Sequence, residues 1–489
     1  MSRVLLGLGG AAAVAVIWTG GWFAGKSFIV EPEADRQVEQ LRSGDFFFSY
    51  DEREIGGFPF GYDIAYRGVA ISTGDGWRWT APAMSVATGV ADAGAFVLTP
   101  SDESKLTLDA PLTGGAPDDA PLVMNIASEA LTATLAQENF EISAKSILAE
   151  QAPGEGMVQG ALVSFADLAS DGSVAPDGSA LDMTLTASSS RIAYRFSVDG
   201  GVVESRSDTT MSDVEIKGAI DNLNAEDLAD FLAKNGRAEF VMKIGAYEGA
   251  GGVTGGPSSP PFDYSGSGAA SSAELSVIDG RARYAASNGA MSGTFETGPP
   301  APFPGGAVRL GDASVLLEMP LKKADAPQPY ALSMRFDGFE MGDVVWDAFD
   351  PGAKIERTAI NLNMDFGGVM TVQFDLGGNS FGSSPVDVET LEIRDVSIDG
   401  LGVSALANGE LEVAGDARQP EGTVHVEVSG AFALMDRMTE AGLLPPGQGD
   451  FFKAIAMGFA RVGEGGPDHL VADIAAADGG VSINGKPLQ

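Results

Sequence analysis

The sequence contains no cysteine. Disulfides, thiol catalysis, lipid attachment at a thiol and most structural zinc sites are therefore excluded. Histidine is almost as scarce: His425 and His469 are the only two. Neither sits in a His-x-x-x-His or His-Glu pairing, so no histidine-based metal site is predicted. Basic residues are few as well, 30 Lys and Arg against 68 Asp and Glu, for a net charge of −38. Nucleic acid is excluded as a partner, because affinity there comes from Lys and Arg neutralising phosphates. Broad contact with anionic headgroups is disfavoured for the same reason. No Gly-x-Ser-x-Gly elbow precedes a helix in an α/β context, and there is no Asp-x-Asp-x-Asp-Gly calcium loop. No cofactor, metal ligand or catalytic residue is expected. Acidic pairs such as Asp102-Glu103 and Asp118-Asp119 follow from composition and read as solvated loop acids.

One long apolar run is present. Val4 to Gly25 carries no charge, and as a helix would extend about 33 Å at 1.5 Å per residue, enough to cross a bilayer core. Trp18 and Trp22 lie toward its far end, where amphipathic rings favour the interface. Arg3 precedes the run, and Lys26 is soon followed by Glu31, Glu33 and Asp35. The charge bias predicts residues 1–3 in the cytoplasm, a single-pass anchor over 4–25, and the body outside. In a bacterium with two membranes that is an inner-membrane protein with its bulk in the periplasm. A cleaved signal peptide is the competing reading, but Trp22 occupies a position where a cleavage site needs a small residue. A short polar helix, Glu31 to Arg42, is expected to lead away from the anchor within a juxtamembrane stretch, 26–45.

From Phe46 onward apolar and polar residues alternate. Ile192 to Val198 alternates before Asp199-Gly200-Gly201, and Val424 to Val428 alternates around His425 and Glu427. Leu362, Met364 and Phe366 alternate, and so do Met370, Val372, Phe374 and Leu376; Gly367-Gly368 between them predicts a hairpin turn. The period predicts a mainly β protein of long antiparallel sheets with one apolar face. Helices are predicted in few places: Ala225 to Asn235 with Asn224 as cap, Gly342 to Phe349, and a helical hairpin of Phe432 to Ala441 and Phe451 to Arg461, the latter capped by Asp450. Strands around Leu470 to Ile474 and Val481 to Ile483 follow. Two β-rich modules are expected, 46–244 and 307–489, joined by Gly/Pro-rich loops over 245–306 with one strand, Ala273 to Tyr284. A pattern of strand, Pro-Leu, polar loop, Pro and strand over Leu106 to Leu122 has a counterpart over Val315 to Phe336.

Aromatic residues crowd the first stretch of the body. Phe58, Phe60, Tyr62, Tyr66, Trp77 and Trp79 are predicted to line either the core of a first hairpin or an apolar groove near the membrane, since both use the same residues.

Gly56-Gly57-Phe58-Pro59-Phe60, the strand Tyr62 to Arg67 and Gly76-Trp77 resemble the opening of an envelope family of Gram-negative bacteria, domain of unknown function family 2125. Val345-Trp346-Asp347 through Asp350-Pro351 resembles the same family, and so does Asp478-Gly479-Gly480 to Asn484-Gly485-Lys486-Pro487-Leu488. The family carries no assigned activity, so no catalytic residue is carried over. By architecture the chain also resembles AsmA-like proteins, which implies an anchored periplasmic β body with a lipid-holding groove.

The expectation is a non-enzymatic, inner-membrane-anchored periplasmic β protein that handles lipid or maintains the envelope. Its partners would be the membrane, through the N-terminal helix, and lipid or another envelope protein. A structural or interaction protein with solid-core sheets is the first alternative. A carbohydrate-active enzyme using paired carboxylates is the second.

Overall fold

The computed structural model describes residues 35–36 and 46–488, apart from 58–60, 75, 90–94, 110–120, 153–157, 199–202, 224, 226–227, 256–259, 300, 302–303, 374–385, 414–419, 446 and 478. The expected anchor over 4–25, with Trp18 and Trp22, lies outside the described residues. So do Phe58, Phe60, Asp118-Asp119, the Asn224 cap and the turn at Asp199-Gly200-Gly201. Among the described residues no helix is long and apolar enough to cross a membrane.

The alternating segments form strands, and their pairings are antiparallel throughout. The chain falls into two compact units, residues 1–176 with 183–200, and residues 177–182 with 201–489. In the first, β1 (Phe46–Ser49) and β2 (Glu52–Gly56) pair one after the other along β3 (Gly61–Thr73). β4 (Trp77–Gly89) follows on β3, then β5 (Ala95–Pro100) and β6 (Glu103–Leu108) end to end on β4. β7 (Leu122–Glu129) and β8 (Thr132–Ala136) make the next line, followed by β9 (Asn139–Gln151) and then β10 (Val158–Val174). β11 (Ala180–Val198) ends this part of the chain. Each line neighbours the next in sequence, so the topology is a meander.

The second unit repeats the arrangement. β12 (Val203–Asp221) carries β13 (Ala238–Ile244) and β14 (Tyr247–Val253) along its length. Next come β15 (Phe262–Gly268) with β16 (Ser271–Ile278), then β17 (Arg281–Asn288) with β18 (Met291–Thr297), then β19 (Gly305–Leu310) with β20 (Asp312–Pro320). Four longer strands continue: β21 (Gln328–Met341), β22 (Ile360–Val372), β23 (Val386–Gly400) and β24 (Val403–Glu412). β25 (Glu421–Ser429), β26 (Arg461–Val462), β27 (His469–Ala477), β28 (Gly480–Ile483) and β29 (Lys486–Leu488) close the chain.

The split lines share one device. In the second unit the strands break at Ser212-Asp213, Gly245-Ala246, Ala269-Ala270, Gly289-Ala290 and Gly311, and Gly338 interrupts β21. The breaks are bonded to one another: Gly245 N–H donates to Ser212 O at 2.7 Å, Ala269 N–H to Ala290 O at 2.9 Å, and Gly311 N–H to Asp337 O at 2.7 Å. Asp213 has φ 48 and Gly338 φ 64. A row of bulges thus crosses the strands at one height. The apolar set is odd-numbered in Tyr247 and Val253 but even-numbered in Phe240 and Met242. The pairing frame is the same on both sides of the break, so the irregularity falls on facing strands together rather than adding a residue to one of them. The first unit has its own row, with Gly68 (φ 60), Ala130 (φ 55) and Asp167 (φ 47).

Three sequence expectations are corrected. Gly367-Gly368 is not a turn: β22 runs through both without a break. A Cβ on Gly368 would strike the Thr390 carbonyl, and one on Gly367 the Arg394 guanidinium, so this glycine pair serves close approach rather than reversal. The strand expected over Ala273 to Tyr284 is a hairpin, β16 and β17, because Asp279 (φ 51) and Gly280 (φ 70) form a tight two-residue turn. The stretch 245–306, expected as loops with one strand, carries β14 to β18 and the start of β19. Its Gly and Ser residues sit within strands, where cross-strand contact outweighs weak β propensity.

Helices are few, as expected. α1 (Leu228–Ala233) buries Leu232, and α2 (Asp343–Phe349) buries Val345 and Trp346. α3 (Ala431–Glu440) and α4 (Gln448–Phe459) pack together, with Lys453 paired to Asp436. Asp450 lies inside the first turn of α4, not at its cap, and Arg461 belongs to β26. The Asp468 carboxylate accepts from Phe432 N–H at 2.7 Å and Ala433 N–H at 2.9 Å, which satisfies free donors at the start of α3.

Candidate functional site: an apolar sheet face

Cross-strand register shows what each face presents. In the second unit Phe240 lies opposite Leu275, Leu275 opposite Tyr284, and Tyr284 opposite Leu317. Leu317 faces Leu332, Leu332 faces Phe366, and Phe366 faces Ile393. Seven apolar side chains on seven neighbouring strands therefore form one row at right angles to the strands. At about 4.8 Å per strand the row is about 29 Å long. The first four are 43 %, 50 %, 40 % and 37 % exposed. The reverse face is polar: Arg283 bridges Glu274 at 2.7 Å and Glu318 at 3.1 Å. A packed sheet hides its apolar face, whereas here the first four side chains of the row stay exposed.

Beyond the bulges, the same unit holds a cavity of about 460 Å³ bordered by β12, β14, β15, β18, β19 and β21. Phe262 and Phe295 rings stand 6.1 Å apart at 29°, and Phe262 and Tyr264 rings 6.0 Å apart at 32°. Tyr264 approaches Ser207 Oγ at 3.5 Å.

In the first unit the expected aromatic residues come together in part. Tyr62 and Tyr66 on β3 and Trp77 and Trp79 on β4 alternate with polar neighbours. Tyr66 is 5 % exposed in a cluster with Phe48, Val69 and Met84, and Trp79 packs against that cluster. Trp79 Nε1 donates to Ser104 Oγ at 3.1 Å. Burial raises the Tyr66 hydroxyl above its ordinary pKa, and Arg53 opposes the rise. Tyr62 and Trp77 are half-buried on the same strands. Tyr66 is thus a core residue. On the polar side, a recess of about 560 Å³ brings together Glu103, Lys105, Asn125 and Glu150.

The two histidines, far apart in sequence, meet through one acid. His425 donates from Nδ1 and Nε2 to Asp473 Oδ1 at 2.8 Å and Glu427 Oε1 at 3.0 Å in its protonated form. His469 Nε2 lies 4.0 Å from Glu427 Oε2, and its Nδ1 is 2.7 Å from Ser429 Oγ. The Asp473 and Glu427 hydrogen bonds hold the His425 pKa above its ordinary value. Sequence alternation placed His425 and Glu427 on one polar face; pairing of β25 with β27 was needed to add Asp473 and His469. No group of three or more His, Asp or Glu suited to a metal ion is found among the described residues.

The Trp346 motif also has a structural account. Trp346 is 4 % exposed and stacks near Phe349, ring centroids 5.1 Å apart. Asp350 is fully buried and accepts from Ile355 N–H at 2.7 Å and Lys354 N–H at 3.0 Å. Burial alone would raise its carboxyl; the two N–H donors and the nearby Arg357 charge outweigh that and hold it below the ordinary value. Arg357 in turn grips Asp343 at 2.8 Å and Asp347 at 2.6 Å, tying the loop to α2.

No curated protein and no solved structure matches the chain. A family model described as "Uncharacterized protein conserved in bacteria (DUF2125)" matches residues 22–240 and 257–488. With nearly its whole length covered, and with the Trp346–Asp350 and C-terminal motifs inside the match, the chain belongs to the DUF2125 family.

Proposed function

We propose that the chain is a non-enzymatic lipid-handling protein, tethered to the inner membrane by its N-terminal segment, with its β body in the periplasm. The observation that carries this reading is the row Phe240–Leu275–Tyr284–Leu317, in register across four strands and about half exposed. Fully burying one such side chain is worth about 1.5–3 kcal/mol, so covering four half-exposed ones is worth about 3–6 kcal/mol. An acyl chain laid along the row, across the strands, supplies that cover. The acidic composition fits a ligand held by apolar contact rather than by headgroup charge. Extraction of the full chain in mild detergent, followed by native mass spectrometry, tests the reading. Retained lipid that is lost in Leu275→Asp supports it; lipid-free protein overturns it.

A second reading has its own observation. The Phe48–Tyr66–Val69–Met84 cluster is solid, which favours a purely structural role for the first strands. In that reading lipid contact is confined to the second unit, and photoactivatable acyl chains label no residue of β3 or β4.

A further inference from the structure

Three glycines lie side by side on neighbouring strands. Gly249 faces Gly266, and Gly266 faces Gly293; Thr209 and Val308 flank them. All three line the 460 Å³ cavity. The parallel row one step along the strands is Met211, Tyr247, Gly268, Met291 and Leu310; one step the other way it is Ser207, Gly251, Tyr264, Phe295 and Gly306. A strip of bare backbone thus runs between two walls of rings and apolar chains. From strand spacing the three glycines span about 10 Å across the strands, or about 19 Å with the flanking Thr209 and Val308, and the wall residues 291 and 295 are about 13 Å apart along their strand.

Glycine inside a strand weakens it and marks a place where a ligand or another backbone comes close. Part of the reason here is internal: a Cβ on Gly266 would sit 2.8 Å from the Ser292 carbonyl, and one on Gly293 3.1 Å from the Ser265 carbonyl. Close strand approach does not require the face above to stay empty, yet the cavity stands over it. The Phe262 and Phe295 rings stack on one another with their planes 29° apart, on the Phe295 side of the strip. Arg309 is the one charged residue in the lining, so a charged ligand body is disfavoured.

We propose that this slot takes a flat, uncharged fused-ring lipid, resting on the Gly249–Gly266–Gly293 floor and held by Tyr264 and Phe295. A single straight acyl chain is too narrow for it. Laid on the strip it leaves floor and walls without contact atoms, and such gaps forfeit dispersion energy. A planar ring system covers the floor face-on and meets the aromatic walls. This slot rests on the lipid-handling reading above and assigns a second ligand class to a different part of the same unit.

The test uses the full chain in native membranes with two photoactivatable probes, a diazirine sterol as the flat ring and a diazirine palmitate as the straight chain. The sterol probe is expected to label β14, β15 and β18, and excess unlabelled sterol, but not palmitate, to compete. Gly293→Val should cut that labelling at least fivefold and Phe295→Leu about threefold, with palmitate labelling near Leu275 unchanged and thermal unfolding within a few degrees. Palmitate labelling without competable sterol labelling overturns the slot and leaves the lipid-handling reading intact. Sterol labelling unchanged in both variants also overturns the slot. Absence of labelling by either probe overturns both.

Discussion

Tyr66 meets Phe48 edge to face, ring centroids 5.5 Å apart at 88°, and Tyr50 closes on Tyr66 at 5.0 Å. Edge-to-face geometry satisfies the ring quadrupoles and adds to the area each ring buries. Tyr66→Ala leaves a cavity in this cluster and is expected to cost about 3–5 kcal/mol of stability. Leu275→Ala removes a half-exposed side chain and should cost under about 1 kcal/mol. Urea unfolding of the two variants checks the contrast. Equal losses would mean that Leu275 is packed as firmly as Tyr66.

His425 is expected to titrate above about 6.5, the ordinary imidazole value. Asp473 and Glu427 favour its protonated form in the folded state. Because the folded pKa is raised, the stabilisation is complete below about pH 6.5 and fades as pH rises through the folded value. Imidazole NMR of wild type, with Asp473→Asn as reference, reads this directly. An unshifted wild-type resonance, or no drop in the variant, contradicts the hydrogen-bond account.

Asp350 gives the opposite sign. Its folded carboxyl is held below the ordinary value by Ile355 and Lys354 N–H groups and Arg357. The stabilisation is present above about pH 3.9 and is lost as pH falls through the lower folded value. Asp350→Asn should therefore destabilise at pH 7 and flatten the acid limb of the stability curve below the ordinary carboxylate range. A variant with the wild-type acid limb removes this carboxylate from the account.

Gly68 marks the bulge row of the first unit. Its φ is 60, and a Cβ there would run into the Asp51 carboxylate. Gly68→Ala is expected to cost about 1–2 kcal/mol from backbone strain alone. Gly74→Ala, where nothing lies within 4 Å of the added carbon, is the matched control and should be near neutral. Thermal unfolding of the pair decides; similar shifts in both variants would deny the bulge its role.

Much of the sheet was legible because alternation needs only one strand to be seen. Val424 to Val428 and Leu362 to Val372 read as strands from period alone. The bulge row was not legible. Gly245-Ala246, Ala269-Ala270 and Gly289-Ala290 look like weak turns singly, and only the neighbouring strand shows that they fall at one height. Gly367-Gly368 misled for a related reason: glycine serves both reversal and close approach, and the Thr390 carbonyl that decides between them is 22 residues away in sequence. The slot left a faint trace. In Phe262-Asp-Tyr264-Ser-Gly266-Ser-Gly268 every second residue is aromatic or glycine, but its facing partners Gly249 and Gly293 are set by pairing. The described residues place Tyr62 and Tyr66 on β3 and Trp77 and Trp79 on β4. Whether such rings form groove or core depends on what packs above them, and Phe48 and Met84 do so for Tyr66.

The row Phe240–Leu275–Tyr284–Leu317 is the proposed lipid site. The most direct measurement is native mass spectrometry of the full chain and of Leu275→Asp, each extracted from its own membranes under identical mild detergent. A bound-lipid mass is expected on the wild-type chain, with at least fivefold lower occupancy in the variant and unchanged circular dichroism. Equal occupancy in the two proteins, or none in either, would contradict it.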